Sequence, residues 1–107
     1  MILFEFIETA QFKNRRKQRL TDEEERVMQH SINREPTIGN VLSQTGGFRK
    51  LRVATKGRGK SGSVRVVYYS VTKKDQILLG TVFNKNEKGN ISDAEKVEMR
   101  KVAQLIK

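Results

Sequence analysis

From Gly46 to Tyr69 the chain runs GGFRKLRVATKGRGKSGSVRVVYY, and the segments on either side take their meaning from it. Phe48, Lys50 and Arg52 alternate with Leu51 and Val53, a Gly/Lys/Arg segment follows, and Val64 to Val71 is a mostly apolar run. This pattern predicts a β-hairpin with a basic rim. Between Pro36 and Lys74 stand nine Lys and Arg and no Asp or Glu, whereas the other 13 basic and 12 acidic residues nearly cancel. The formal net charge of +10 is therefore concentrated on the hairpin. A field of that kind selects a polyanionic partner, nucleic acid first.

The 107 residues suffice for one domain, 1–107, with a core of modest size. Cysteine is absent, which excludes a thiol nucleophile and thiolate metal sites. His30 is the single histidine, and no DxD or HxxxH spacing occurs, so neither a metal nor another cofactor is expected. The longest apolar runs have strand length and nothing resembles a secretion leader, so the expectation is a cytoplasmic protein with no membrane partner.

Outward from the hairpin, Ile2, Phe4 and Phe6 give the first strand an apolar face. Thr9 caps a basic helix expected to run to about Leu20, with Phe12 and Leu20 on its inner side; its Lys and Arg read as a solvated face or as a contact to nucleic acid. Thr21-Asp-Glu-Glu24 is a capping box that opens a second helix, with Val27, Met28 and Ile32 as its core stripe and an end near Arg34, just before the only proline. After the hairpin, Ile77 to Phe83 is a largely buried strand ending at Lys85, and Ser92-Asp-Ala-Glu95 caps a last helix carrying Met99, Val102, Ala103 and Ile106. The predicted order is β-α-α-β-β-β-α. This is an α+β domain with a twisted, mainly antiparallel sheet, helices packed on it, and the first strand paired with a later one.

Alternation sets Lys50 and Arg52 on one side of their strand, with Arg65 across from them and Phe83 and Lys85 at the end of the next. A cleft so lined suits single-stranded RNA, because cations neutralise phosphates and an aromatic ring stacks on an extruded base. RNA can also be cut without a metal when its own 2′-OH attacks the adjacent phosphate. That chemistry needs a base, an acid and positive charge on the phosphorane. Crowding of cations favours the neutral form of a lysine, so Lys50 or Lys56 is a candidate base, with Arg52 and Arg65 as phosphate clamps.

The segment Gly46 to Lys60, followed by Val64-Arg65-Val-Val-Tyr-Tyr69 and Val82-Phe83-Asn-Lys85-Asn-Glu87, resembles the RelE/HigB group of bacterial toxins, most closely the HigB-type branch with a KGxGKxG loop. The resemblance spans nearly the whole chain. It implies a RelE-like fold and the toxin of a type II toxin–antitoxin pair, an mRNA interferase that cuts messenger RNA in the decoding site of the 70S ribosome and leaves a 2′,3′-cyclic phosphate. It implies a cognate antitoxin with a helix-turn-helix domain, through which alone the complex meets operator DNA.

By the same resemblance Lys50, Arg52, Lys56, Arg65 and Lys85 are the expected catalytic residues, and Arg49, Arg58, Lys60, Phe83 and Asn86 the expected contacts to RNA and ribosome. Phe83 stands where relatives often have Tyr, Asn86 where some have a catalytic Arg, and the final helix has no Tyr. Proton transfer is thereby shifted towards lysine. Two alternatives stay open: a ParE-like toxin acting on DNA gyrase, and a non-catalytic RNA-binding module.

Overall fold

The computed structural model describes residues 3–55, 62–85, 87 and 90–106, apart from the side chain of Thr72. Within them the order is β1 (Glu5–Glu8), α1 (Ala10–Arg16), α2 (Asp22–Arg34), β2 (Asn40–Val41), β3 (Arg49–Ala54), β4 (Ser63–Val71), β5 (Gln76–Asn84) and α3 (Asp93–Ile106), with a 3₁₀ turn at Thr72–Lys74. The α+β class and the predicted order hold, with β2 as an added two-residue strand.

The sheet runs β1-β5-β4-β3-β2. β3, β4 and β5 form the expected antiparallel meander, while β1 lies parallel to β5, with Glu5 opposite Gln76 and Glu8 opposite Leu79. Both capping boxes form. Thr21 Oγ1 accepts from Glu24 N–H at 3.0 Å while Glu24 accepts from Thr21 N–H at 2.9 Å. Ser92 and Glu95 repeat the exchange at the start of α3. A cap of this type stabilises its helix by about 1 kcal/mol.

Each face of the sheet buries its own cluster. Under α1 and α2 lie Phe12, Leu20, Met28 and Ile32 against Val53, Val64, Val66, Tyr68, Ile77, Leu79 and Val82. Under α3 lie Phe48, Val67, Phe83, Ile91 and Ala103. Each large side chain removed from water there contributes roughly 1.5–3 kcal/mol. β4 feeds both clusters, which explains its near-continuous apolar run: even-numbered Val64, Val66 and Tyr68 face one way, Val67 the other.

One boundary and one buried stripe differ from expectation. α1 ends at Arg16, and the chain reaches Leu20 through a turn in which Leu20 N–H donates to Arg16 C=O at 2.9 Å; Leu20 is buried all the same. Val27, expected in the core stripe of α2, is 58 % exposed, and Glu25 is buried in the helix's inner face instead.

One irregularity bears on the site. Val67 pairs with Thr81 and Tyr68 with Leu79, so Gly80 is an unpaired extra residue in β5. A Cβ there would touch the Phe48 ring and Val67 C=O, both at 3.4 Å, so the position is closely packed.

Candidate nucleic-acid interface

The register of the meander assembles the basic residues. Arg52 on β3 stands directly opposite Arg65 on β4, and Arg65 directly opposite Phe83 on β5. Lys50, Val67 and Thr81 form the next row of the same face. Lys85 follows β5 at that end of the sheet and is exposed. The structure thus brings Lys50, Arg52 and Arg65 together as the alternation predicts. Like charges directly across an antiparallel pair repel. Among the described residues no carboxylate forms an ion pair with Lys50, Arg52, Arg65 or Lys85; Arg65 donates to Ser63 Oγ at 2.9 Å.

Other expected residues fall elsewhere. Phe83 lies on the right face but is 1 % exposed, sealed among Phe48, Val67, Ile91 and Ala103, so its ring is a floor beneath the cations and not a platform open to a base. The pattern of alternation located it, but could not show that α3 covers it. Arg49 points to the opposite side from Lys50 and donates to the carbonyls of Gly39 at 2.8 Å and Thr37 at 3.3 Å, tying down the approach to β2. Lys56, Arg58, Lys60 and Asn86 lie outside the described residues. Tyr68 is buried, its hydroxyl donating to Pro36 C=O at 2.7 Å and accepting from Gly39 N–H at 3.0 Å. Burial raises its pKa and keeps the phenol protonated. His30 is exposed on α2.

The basic run of α1 has a role that composition did not show. Opposite β5 the strand β1 reaches only to Leu79, which leaves the outer edge of Gly80 to Asn84 without a strand neighbour there. Side chains of α1 replace that neighbour. Thr9 Oγ1 donates to Gly80 C=O at 2.8 Å, and Arg15 Nε donates to Val82 C=O at 2.7 Å. Past the strand end, Arg19 grips Glu87 through two bonds of 2.7 and 2.6 Å, and Arg15 reaches the same carboxylate at 2.9 Å. Glu87 in turn accepts from Asn84 N–H at 2.5 Å, while its own N–H donates to Asn84 C=O at 3.1 Å. The bonds from Arg19, with Asn84 N–H and the nearby guanidinium charges, hold the Glu87 carboxyl down to about 2, so it is ionised at every working pH. The i, i+4 spacing of Arg15 and Arg19 was the available signal.

Arg16 turns the other way. It pairs with Asp22 at 2.8 Å and with the buried Glu25. Burial pushes the Glu25 carboxyl up to about 7, helped by Glu8 and opposed by Arg16. Among the described residues no group of three or more His, Asp or Glu side chains is arranged to hold a metal ion.

Comparison with known proteins gives a concordant result. The family model described as the RelE toxin of the RelE/RelB toxin–antitoxin system matches residues 6–107. Among solved structures, a double arginine-to-alanine mutant of the E. coli toxin RelE in the free state superposes with a TM-score of 0.59 at 18 % identity, covering 96 % of this chain and 98 % of that one. The intact E. coli RelBE toxin–antitoxin complex gives 0.56 at 14 % identity, over 76 % of this chain and 95 % of that one.

Proposed function

The chain belongs to the RelE toxin family, and from that premise we propose that it is a ribosome-dependent endoribonuclease that cuts messenger RNA in the decoding site and so stops translation. The observation that carries this reading is the row Arg52 and Arg65 beside Lys50: three cations on one sheet face, two of them directly opposed, with no carboxylate paired to them among the described residues. A fold gains nothing from that arrangement. A phosphate lowers its cost at once, because each guanidinium can chelate two phosphoryl oxygens.

In the mechanism the substrate supplies its own nucleophile. The 2′-OH attacks the adjacent phosphorus in line, the bond to the 5′-oxygen breaks, and a 2′,3′-cyclic phosphate remains. Arg52 and Arg65 clamp the phosphate and neutralise the charge that grows on its oxygens, the kind of interaction that strengthens in the transition state. Lysine carries the protons: Lys50 or Lys56 accepts that of the 2′-OH, and Lys85, at the neighbouring strand end, is the candidate donor to the leaving oxygen. Arg58, Lys60 and Asn86 are assigned to RNA and ribosome contact. The partner that keeps the activity in check is a cognate antitoxin, as in the RelBE complex. The HigB-type sequence pattern favours one with a helix-turn-helix domain, which alone brings the complex to operator DNA. The site of action is the cytoplasm.

The test is primer extension on a defined message, with purified protein and with or without ribosomes programmed by that message. New 5′ ends in register with codons and only with ribosomes are expected. Cleavage of free RNA overturns the ribosome dependence, and absence of cleavage in both tubes overturns the ribonuclease reading.

A further inference from the structure

α1 and the turn after it carry Lys13, Arg15, Arg16, Lys17 and Arg19, a basic run that suggests an RNA contact. Its arginines are already engaged. Arg15 and Arg19 converge on one carboxylate, Glu87, two residues after Lys85 and within the turn closed by Glu87 N–H to Asn84 C=O. The same Arg15 also binds Val82 C=O through its side chain, and Arg19 Nη1 donates to the backbone C=O of Arg15 at 2.8 Å, which holds the Arg19 guanidinium against the helix end. Helix, strand end and turn are thus joined at a point where β5 has lost its β1 neighbour.

We propose that Arg15, Arg19 and Glu87 form a latch that fixes the turn bearing Lys85 against the end of the sheet, and that they act as positioning residues for Lys85, not as contacts to RNA. The proposal rests on the ribonuclease reading for the role of Lys85. The physical need is plain. An exposed lysine on a turn samples many directions, and a proton donor must stay within hydrogen-bond reach of the leaving oxygen. A bidentate guanidinium–carboxylate pair supplies direction as well as attraction, which a lone lysine at position 19 would supply only in part.

The experiment compares parent, Arg19→Ala, Arg19→Lys, Glu87→Gln and Lys85→Ala. Two readouts are taken: single-turnover cleavage on programmed ribosomes, and hydrogen exchange at the Asn84 amide. Arg19→Ala leaves the Glu87 side chain in place, so faster exchange at Asn84 reports release of the turn itself. For Arg19→Ala and Glu87→Gln the expected result is a kcat lower by about tenfold or more with KM within about twofold. Exchange at Asn84 is expected to rise by about tenfold, and Arg19→Lys should keep part of both. In the Lys85→Ala background, Arg19→Ala should cost no further activity, since a residue acting through Lys85 has nothing left to position. A raised KM at unchanged kcat, or losses that add to those of Lys85→Ala, would make Arg19 an RNA contact and overturn the proposal. Unchanged exchange at Asn84 overturns it as well. Should the parent cut nothing, the ribonuclease reading falls and the positioning role with it, while Asn84 exchange still decides separately whether the latch exists.

Discussion

Two groups of arginines in this molecule carry the same charge and live under opposite conditions. On α1 and the turn that follows it, Arg15, Arg16 and Arg19 each meet a carboxylate, through Glu87, Asp22 and Glu25. On the sheet, Arg52 and Arg65 face each other, with Lys50 alongside and no such partner among the described residues. Sequence composition scores the two groups alike. The difference teaches that charge answered inside the fold is architecture, whereas charge left facing like charge is where the proposed phosphate clamp is to be tested.

The contrast breaks most visibly if the sheet cations turn out to be structural. Arg65→Ala should lower the cleavage rate on programmed ribosomes by about 10²–10³-fold, as for other lost transition-state donors. Its melting temperature should stay level or rise, since a repulsion is relieved; a marked fall would place Arg65 among the architectural arginines. Arg16→Ala is the converse. It strips the buried Glu25 of its cation and should cost about 2 kcal/mol in denaturant unfolding, the loss being limited because the carboxyl can take up a proton.

The pH dependence sharpens the same point. Glu25 holds its proton to about 7 when folded against an ordinary 4.5, so the folded chain binds more protons between those values and this residue's contribution to stability declines as pH rises through them. A fall of about 1–2 kcal/mol from pH 5 to 8 is expected, and Glu25→Gln should flatten it. Glu87 has the opposite sign: its contribution is present above the ordinary carboxylate range and is lost only as pH falls towards 2. The smallest effect belongs to the remaining cations of α1 and its C-terminal turn. Lys13→Ala with Lys17→Ala should shift stability by less than about 0.5 kcal/mol and leave cleavage unchanged. A clear loss of cleavage would show that α1 does touch RNA.

Much of this was legible in the residues because it depends on local rules. Alternation at Phe48 to Val53 set the faces of β3, the two capping boxes set the starts of α2 and α3, and Pro36 set the end of α2. What stayed hidden depends on long-range geometry. That Glu87 answers Arg19 needs the spatial adjacency of α1 and the end of β5. That Phe83 is a floor and not a platform needs the position of α3, and Gly46 is part of that position: its φ is +79°, and a Cβ there would lie 2.8 Å from Ala103 Cβ. Glu25 read as a helix-dipole acid because the groups that interact with it, Arg16 and Glu8, belong to other elements.

The parallel pairing of β1 with β5 also sets an order in time. Glu5 finds its partner 71 residues later, and Arg19 waits 68 residues for Glu87. A chain growing from its N-terminus can form the α1 and α2 segments and then the β3–β4 hairpin before the strand that seats Arg65 from its other side and the turn that carries Lys85 are made. The row of cations is therefore whole only once β5 has joined β4, a later step than closure of the β3–β4 hairpin that first sets Arg52 against Arg65.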